Sequence, residues 1–360
     1  MEDRNQELLR QYNIKIYNTY RIRGAFIIET DKGLKLLKML DGSKNRIEFE
    51  NIILKHLTSL NYNYVDMYVT NSFGEIVTED TQGNKCVLKN WYPGDECNLR
   101  DEGDIYAATI NLAKLHSLLR NVPLNQEQVE FNGSADLMEL FDKRNRELKR
   151  VRSYIRDKRK KNEFELFYLN CYDEFYKQAT LAIKLLEEID YKEMENIALN
   201  NQYVCHGNYT YHNLIKLNNG ISNQSNCKVY QYPEKVSAAN IKEPRNNIIA
   251  TTNFDKSYVG IQIIDLYHFI RKVMEKNDWD LDIGSMIIDT YENILQISKS
   301  ELKLLYILLL YPEKFWKITN FYYNGKKSWV PQRNIQKLIE IGQQMERKDK
   351  FLQCLLGTIS

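Results

Sequence analysis

The chain has 360 residues, 43% of them hydrophobic and 27% charged, with a formal net charge of +2. This length exceeds that of a single small domain and predicts two lobes. Proteins that bind nucleic acids or membrane surfaces usually carry a larger net charge than this chain does. Neither is therefore expected as a partner. The longest apolar run, 304–311, is far shorter than the roughly 20 residues that a membrane-spanning helix needs.

The amino terminus and the cysteines indicate the compartment. The first ten residues are charged and contain no apolar segment, so no secretory signal is expected. The cysteines are scattered and form no CxxC pair, which argues against a zinc site or a disulfide framework. They are Cys86, Cys97, Cys171, Cys205, Cys227 and Cys354. Both observations predict a chain made in the cytoplasm, under reducing conditions.

Residues 1–92 have the pattern of a small, β-rich amino-terminal lobe. Apolar residues at helical spacing, among them Ile53 and Leu57, predict one helix over 47–60. Gly24 and Gly33 predict the turns between the first strands. Segments rich in β-forming residues predict strands at 17–22, 25–30, 34–40, 65–70, 75–78 and 86–91.

Pro93 and Gly94 mark the predicted start of a larger helical lobe, 93–360. The polar segment 218–247 is predicted to be an inserted loop between two short strands. Apolar spacing predicts a helix after Glu102 and a long helical stretch over 134–188, interrupted near 159–162. Further helices are predicted at 264–275, 285–297, 300–309, 312–323 and 334–347.

Two segments of biased composition allow two interpretations each. The stretch from Lys143 to Lys161 is dense in lysine and arginine, with Glu147 and Asp157 as its only acids. It fits a solvated helix face, or a surface that contacts an acidic partner or polyanion. The aromatic residues of 315–323 fit the core of the helical lobe, or a platform on which a ligand stacks.

The segment 203–215 contains the sequence HGNYTYHN and resembles the catalytic loop of aminoglycoside and choline phosphotransferases, written H-G-D-x-x-x-x-N. Further along, 251–255 (TTNFD) resembles their magnesium-binding segment, I-D-F-[DE], and Asp265-Leu266 resembles the D-L that opens the next helix. The segment 112–116 matches their L-A-x-L-H. The resemblance implies an α+β, bilobal, protein-kinase-like fold with a small β-rich amino-terminal lobe and a larger helical carboxy-terminal lobe.

Two positions in this resemblance lack the expected charge. In the family, the loop aspartate acts on the acceptor hydroxyl, while the loop asparagine and the D-F aspartate hold Mg²⁺. The corresponding residues here are Asn208, Asn213 and Asn253. Because an amide cannot accept a proton and is a weak ligand for a hard cation, a loss of phosphoryl transfer is predicted. Asp255 could supply a substitute metal carboxylate if the backbone bends away from a regular strand.

On the nucleotide side, the resemblance assigns Lys38 to the α- and β-phosphates and Glu50 to an ion pair with Lys38. Both residues could equally be ordinary surface charges. The turn 21–25 contains a single glycine, whereas several glycines usually let backbone amides approach phosphates. Trp91 lies at the predicted hinge between the lobes, where it could contact an adenine. ATP and Mg²⁺ are therefore cofactors only if the site has kept its activity.

The histidine and the cysteine at the start of the loop have structural interpretations. His206 is expected to shape the loop through hydrogen bonds from its ring to the backbone. Cys205 is too close in sequence to form a positioned Cys–His pair, so it is expected to be a buried strand residue.

In detail, four stretches resemble the CotS-type spore coat proteins of endospore-forming Firmicutes, in their clostridial branch. These stretches are 205–213, 253–255, 265–272 and 311–317. Asn253 agrees with what clostridial members carry, whereas Asn208 departs from the H-G-D expected there. The resemblance implies a role in coat assembly, first in the mother-cell cytoplasm and then on the spore, with other coat proteins as partners.

Three functions stay open at this point. A catalytically inactive, kinase-like structural or assembly protein of the spore coat (a pseudokinase) is predicted from Asn208, Asn253 and the family resemblance. An active ATP-dependent kinase, acting on a hydroxyl or amino group of a small molecule, is predicted from the retained Asn213 and Lys38 and the lobe organisation. A metal-independent nucleotide sensor is the third. A small-molecule substrate is expected only for the second.

Overall fold

The computed structural model describes residues 2–40, 43–217, 248–325 and 331–359. The predicted insertion 218–247 and its Cys227 lie outside these ranges. The chain forms two compact units, each built from two segments. Unit 1 comprises Met1–Gln128 and His206–Ser257, and unit 2 comprises Val129–Cys205 and Tyr258–Ser360. The boundary between the predicted lobes, 1–92 and 93–360, does not coincide with the boundaries of these two units. The two lobes stay a prediction.

Unit 1 contains a six-stranded antiparallel sheet, and each predicted strand segment contributes one strand. Its members are β1 (Ile16–Ile22), β2 (Ala25–Thr30), β3 (Gly33–Met39), β4 (Tyr68–Val69), β5 (Val77–Glu79) and β6 (Lys85–Asn90). The strand order is β1-β2-β3-β6-β4, and β5 also pairs with β6. Arg23 and Gly24, which join β1 to β2, both have positive φ, at 40° and 84°. Positive φ at both positions is typical of the two-residue hairpin turn whose twist matches that of its strands.

Three helices accompany this sheet: α1 (Glu2–Leu9), α2 (Lys44–Ser59) and α3 (Glu102–Leu118). Helix α1 is absent from the predicted elements because its first residues are charged. Its Leu8 and Leu9 are buried against Leu37 and Leu88 of the sheet. Because side chains alternate along a strand, this packing leaves the neighbouring Lys38 on the opposite sheet face.

A second, three-stranded sheet of unit 1 leads to the loop of interest. Its strands are β7 (Gly94–Glu96), β9 (Leu214–Leu217) and β10 (Ile249–Thr251), in the order β10-β9-β7. Gly94 has φ 159°, and a Cβ atom there would lie 2.2 Å from the carbonyl oxygen of Lys216. Only glycine therefore permits this close strand pairing. In unit 2, β8 (Val204–Cys205) pairs with β11 (Tyr258–Val259).

The helices of unit 2 follow the predicted segments with several corrections. They are α5 (Leu137–Asp157), α6 (Glu163–Glu187), α7 (Tyr191–Asn200), α8 (Ile263–Lys276), α9 (Leu281–Glu292), α10 (Lys299–Leu310), α11 (Glu313–Asn324), α12 (Pro331–Gln343) and α13 (Met345–Ile359), while the short α4 (Gln126–Phe131) begins in unit 1. The predicted interruption near 159–162 is confirmed, since Asn162 and Glu165 form a capping box there. The single helix predicted over 334–347 is wrong, because α12 ends and α13 begins within it.

The aromatic segment of α11 divides between core and surface. Phe315 is 1% exposed, and its ring stacks on Tyr168 and Phe175 at centroid distances of 5.2 and 4.5 Å. Phe321 and Tyr323 are 39% and 40% exposed. The core interpretation is therefore correct for Phe315 and wrong for the other two.

Two further findings concern the cysteines and the helices. The five cysteines in the described ranges are free thiols, and Cys205 is fully buried, as expected of a strand residue. None of the helices in the described ranges is both long enough and apolar enough to cross a membrane.

Candidate active site

The loop between β8 and β9 is shaped by a buried histidine. His206 is fully buried, and its Nε2 lies 3.1 Å from the carbonyl oxygen of Thr252. Its Nδ1 accepts a hydrogen bond of 3.2 Å from the backbone N–H of Asn208. Since Nδ1 accepts, Nε2 carries the proton and donates to Thr252. The expected bonding of this ring to the backbone is confirmed, and both nitrogens are occupied in holding the loop.

A buried polar network ties this loop to α3 and β10. The hydroxyl of Tyr209 donates to the carbonyl oxygen of Ala108 at 2.7 Å. The side-chain amide of Asn111 donates to the hydroxyl oxygens of Tyr209 and Thr251, at 3.0 and 2.8 Å. Since α3 and β10 belong to the rigid framework of unit 1, the loop has a defined position within that unit.

The two loop asparagines contact each other through the backbone. The side-chain amide nitrogen of Asn213 donates to the carbonyl oxygen of Asn208 at 2.8 Å. The Asn208 carboxamide makes no hydrogen bond to any residue in the described ranges, and it is half-buried. With its nitrogen turned to the loop, Asn213 has only its Oδ1 atom left for a ligand. The site therefore has a neutral amide where a proton acceptor was expected.

The segment 253–255 bends sharply after β10. Asn253 is in the left-handed region, at φ 67° and ψ 58°, and Phe254–Lys256 form a single 3-10 turn. Asparagine adopts this conformation more easily than most residues. The bend brings two side chains to Lys38 of β3: its Nζ lies 3.2 Å from Asn253 Oδ1 and 2.9 Å from Asp255 Oδ2. Asp255 could act as a substitute metal ligand only if the backbone bent away from a regular strand, and the backbone does bend here.

Arg46 of α2 holds this bend in place. Its Nε donates to the carbonyl oxygen of Asp255 at 2.8 Å, and its guanidinium also donates to the carbonyl oxygen of Ser257. Burial lowers the pKa of Arg46, while Glu50 and Asp255 oppose that shift. A guanidinium stays protonated in proteins, so a permanent positive charge lies beneath the segment.

The expected ion pair between Lys38 and Glu50 is wrong. Glu50 of α2 is instead paired with Lys89 of β6, whose Nζ lies 2.6 Å from Glu50 Oε1 and 2.6 Å from Asp66 Oδ2. The side chains of all three residues are at most 5% exposed. A carboxylate so deeply buried needs a cation that is buried with it, whereas the side chain of Lys38 is 38% exposed.

Further hydrogen bonds extend this buried cluster of Glu50, Asp66 and Lys89. Tyr68 donates from its hydroxyl to Glu50 Oε2, and the backbone N–H of Asn253 donates to Asp66 Oδ2 at 2.9 Å. Burial alone would lower the pKa of Lys89, but Asp66 and Glu50 outweigh it and raise that pKa above its usual value. Lys89 is therefore protonated, and the cluster connects the sheet, α2 and the segment 253–255.

Sequence reasoning missed Arg46, Asp66 and Lys89. A signal existed for Lys89, since it follows the apolar residues 86–88 within a predicted strand. A charged residue on the covered face of a strand requires a partner. No comparable signal marks Asp66, whose partners lie on distant parts of the chain.

A second ion-pair cluster connects the β1–β2 turn to the loop. Arg23 lies 2.5 Å from Glu96 Oε1, and His212 Nδ1 lies 2.7 Å from Glu96 Oε2. Partial burial acts to raise the pKa of Glu96, but the hydrogen bonds from Arg23 and His212 outweigh it and hold that pKa below its usual range. A carboxylate thus fastens the β1–β2 turn to the loop.

Glu96→Gln is expected to destabilise the protein slightly at neutral pH, by less than about 1 kcal/mol, because the pair is partly exposed. A depressed carboxyl pKa contributes stability that is present above the unfolded-state pKa and is lost as pH falls through the folded-state pKa. The difference between variant and wild type should therefore shrink as pH falls from neutral to below the usual pKa of a glutamate side chain. Urea unfolding across this pH range measures the change. The same substitution at the exposed Glu174 is the control, and a pH-independent deficit for Glu96→Gln would contradict the assignment.

Trp91 is half-buried beside the second sheet of unit 1. It packs against the cluster of Ile215, Leu217 and Ala250, and its backbone N–H donates to the carbonyl oxygen of Leu34 at 3.0 Å. These contacts fix the position of the residue. Its contact with an adenine stays a prediction.

The predicted metal ligands fit a magnesium ion poorly. Of Asn213, Asn253 and Asp255, only Asp255 carries a charge, and its Oδ2 is ion-paired with Lys38. Mg²⁺ requires near-octahedral oxygen ligands and is usually held by carboxylates. Over the ranges that the structure describes, no group of three or more His, Cys, Asp or Glu side chains could hold a metal ion. No catalytic step through a metal follows from this geometry.

The chain is similar to a known protein family and to several solved structures. A family model described as "Spore coat putative kinase YutH" matches residues 5–229. No curated protein matches the chain in sequence.

Similar solved structures include an aminoglycoside phosphotransferase from Alicyclobacillus acidocaldarius, with a TM-score of 0.81 and 17% identity over 98% of this chain and 96% of that one. A spectinomycin phosphotransferase has a TM-score of 0.62 and 11% identity over 93% and 92%. An amicoumacin kinase has a TM-score of 0.59 and 11% identity over 97% and 93%. These likenesses confirm the predicted α+β, aminoglycoside-phosphotransferase-like kinase fold.

Proposed function

Because this chain belongs to the YutH family of kinase-like spore coat proteins, we propose that it is a catalytically inactive structural or assembly factor of the coat. Its partners in this proposal are other coat proteins, which it meets first in the mother-cell cytoplasm and then on the spore. The kinase-like fold then serves as a scaffold rather than as a phosphotransferase.

One observation carries the inactive assignment: Lys38 is ion-paired with Asp255, the one carboxylate among the predicted metal ligands. In a working kinase, a lysine in this position contacts nucleotide phosphates. Here its Nζ contacts Asp255 Oδ2 and Asn253 Oδ1, at 2.9 and 3.2 Å. A nucleotide could displace this partly exposed pair at little cost, but it would meet no second carboxylate at Asn253 to retain a metal ion.

The loop makes the same argument independently. Asn208 stands in the position of the catalytic aspartate and cannot accept a proton. Loss of a general base typically costs roughly 10²–10⁴ in rate. The loss of a metal carboxylate adds to this, although such effects are not simply additive.

Thermal unfolding of the wild-type protein with ATP, with and without Mg²⁺, tests the inactive assignment. No magnesium-dependent stabilisation is expected, because the residues present hold a divalent cation poorly. A ligand at a hundred times its Kd would stabilise the protein by about 2.7 kcal/mol, an effect that this assay resolves easily. Stabilisation that requires Mg²⁺, together with ATP turnover at an ordinary enzymatic rate, would contradict the proposal. Stabilisation by ATP alone would instead indicate a nucleotide sensor.

A fluorescent fusion expressed during sporulation tests the coat assignment. We expect the signal first in the mother-cell cytoplasm and then around the spore. A signal that stays diffuse in the mother cell would contradict the coat assignment and would leave the question of activity untouched.

One observation favours an active ATP-dependent kinase as the second candidate function. Asp255 Oδ1 is buried and has no hydrogen-bond partner in the described ranges, so it could hold a cation that displaces Lys38. If this candidate were correct, the wild-type protein would transfer a γ-phosphate to a small molecule, and Asp255→Asn would abolish the transfer. The exposed Asp282→Asn is the control for that substitution.

A further inference from the structure

Helix α5 of unit 2 presents a row of exposed basic side chains. The exposed members lie on α5 and directly after it: Lys143, Arg146, Lys149, Arg150, Arg156, Arg159 and Lys160. These residues are called the basic face of α5. We propose that this face is a docking surface for an acidic polypeptide segment of another protein. The inference deepens the proposed coat function and rests on it, since it gives the chemistry by which a coat partner would be recognised.

Two basic residues of α5 are ion-paired within unit 2, whereas three of its exposed ones are not. Arg144 is ion-paired with the buried Glu313, and Arg152 lies 2.9 Å from Asp173. By contrast, Lys143, Arg146 and Arg150 form no ion pair with any residue in the described ranges. Arg156 lies 3.8 Å from the adjacent Asp157. The fold therefore leaves part of the basic face, but not all of it, without an acidic partner in the described ranges.

The basic face repels itself along the helix. Arg146 and Arg150 are four residues apart on α5, where like charges destabilise a helix. Cations near the end of α5 are favoured by the helix dipole, but Lys143 and Arg146 lie in its first half and gain nothing from it. A partner that brings negative charge would relieve this repulsion.

A groove with aromatic walls runs beside the basic face, between α5 and α11. Its lining includes Arg150, Trp316 and Tyr323. The Trp316 ring is fixed by the Arg144 guanidinium, 4.1 Å from its centroid, and by a 2.7 Å hydrogen bond from its Nε1 to Glu147. Tyr323 is 40% exposed. A peptide with acidic and apolar side chains could contact the cations and the groove at once.

Acidic residues on the same surface favour a peptide over a nucleic acid. Asp142 and Asp157 are exposed within the basic row, and Glu147 lines the groove. These carboxylates would oppose the evenly spaced charges of a phosphate backbone. A polypeptide can place its acidic residues opposite the cations and neutral residues opposite the acids.

The test is the triple variant Lys143→Gln, Arg146→Gln and Arg150→Gln, with a fluorescein-labelled peptide that combines runs of Glu and Asp with Leu and Tyr. Fluorescence anisotropy should show about tenfold weaker binding to the variant than to wild type at low salt. Binding to wild type should also weaken as NaCl is raised towards about 0.15 M. The matched control, Lys55→Gln, Lys299→Gln and Lys303→Gln, removes the same charge from exposed positions elsewhere and should bind like wild type.

Two outcomes would overturn the proposal. Equal loss of binding in both variants would mean that the peptide responds to overall charge alone. The second outcome concerns a single-stranded DNA of the same charge as the peptide. If it bound wild type as tightly as the peptide does, and if the triple variant lost this binding, the partner would be a nucleic acid.

The spore fusion separates this inference from the coat assignment on which it rests. If the triple variant no longer binds the peptide but still reaches the coat as wild type does, the basic face does not dock coat partners. If the wild-type fusion never reaches the coat, the coat assignment fails, whatever the peptide result.

Discussion

Lys89→Met is expected to destabilise the protein by about 3–5 kcal/mol, because it removes the ammonium that two buried carboxylates share. Glu50 and Asp66 are 3% and 1% exposed, and neither can recover solvent when Lys89 is lost. Urea unfolding followed by tryptophan fluorescence measures the change. Asp66 also accepts the N–H of Asn253, so the segment 253–255 should become more protease-sensitive.

The stability lost in Lys38→Met, compared with that lost in Lys89→Met, shows whether Glu50 pairs with Lys38 or with Lys89. The Lys38 side chain is 38% exposed and pairs with a 30% exposed carboxylate, so its loss should cost less than about 1 kcal/mol. Lys55→Met, at an exposed position of α2, serves as the control. A larger loss for Lys38→Met than for Lys89→Met would restore the ion pair predicted from sequence. Adding Glu50→Gln and Asp66→Asn to Lys89→Met should recover part of the lost stability.

The double variant Asn208→Asp and Asn253→Asp is expected to gain magnesium-dependent ATP binding. The second substitution places a carboxylate beside Asp255, so that two anions can compete with Lys38 for a metal ion. Aspartate tolerates the left-handed conformation of position 253 about as well as asparagine does, so the bend should be kept. The first substitution restores a proton acceptor, which should raise any phosphoryl transfer by roughly 10²–10⁴.

Thermal unfolding with ATP, with and without Mg²⁺, measures the binding gain, and release of labelled phosphate measures turnover. Asn200→Asp and Asn293→Asp add the same charge at exposed positions and should leave both readings at the wild-type level. If the double variant gained neither property, the two amides would not be what separates this protein from a working kinase.

Local patterns predicted the strands of the six-stranded sheet well because alternation and turn residues are adjacent in sequence. The turn at Arg23 and Gly24 and the strands on either side were placed to within a residue. Helix α1 was missed because its two buried leucines are meaningful only against the sheet that they cover. Apolar spacing over 334–347 likewise did not show that the helix breaks before Met345.

Within the candidate site, side-chain chemistry could be predicted and side-chain pairing could not. The sequence by itself determined that neutral amides occupy positions 208 and 253, that the loop is H-G-N, and that the fold is kinase-like. Only the tertiary structure decided that Glu50 pairs with Lys89, that Lys38 pairs with Asp255, and which basic residues of α5 are left exposed. The reason is physical: residue identity fixes which charges a side chain can carry, but the strength of a pair depends on distance and burial, which are set by parts of the chain far apart in sequence.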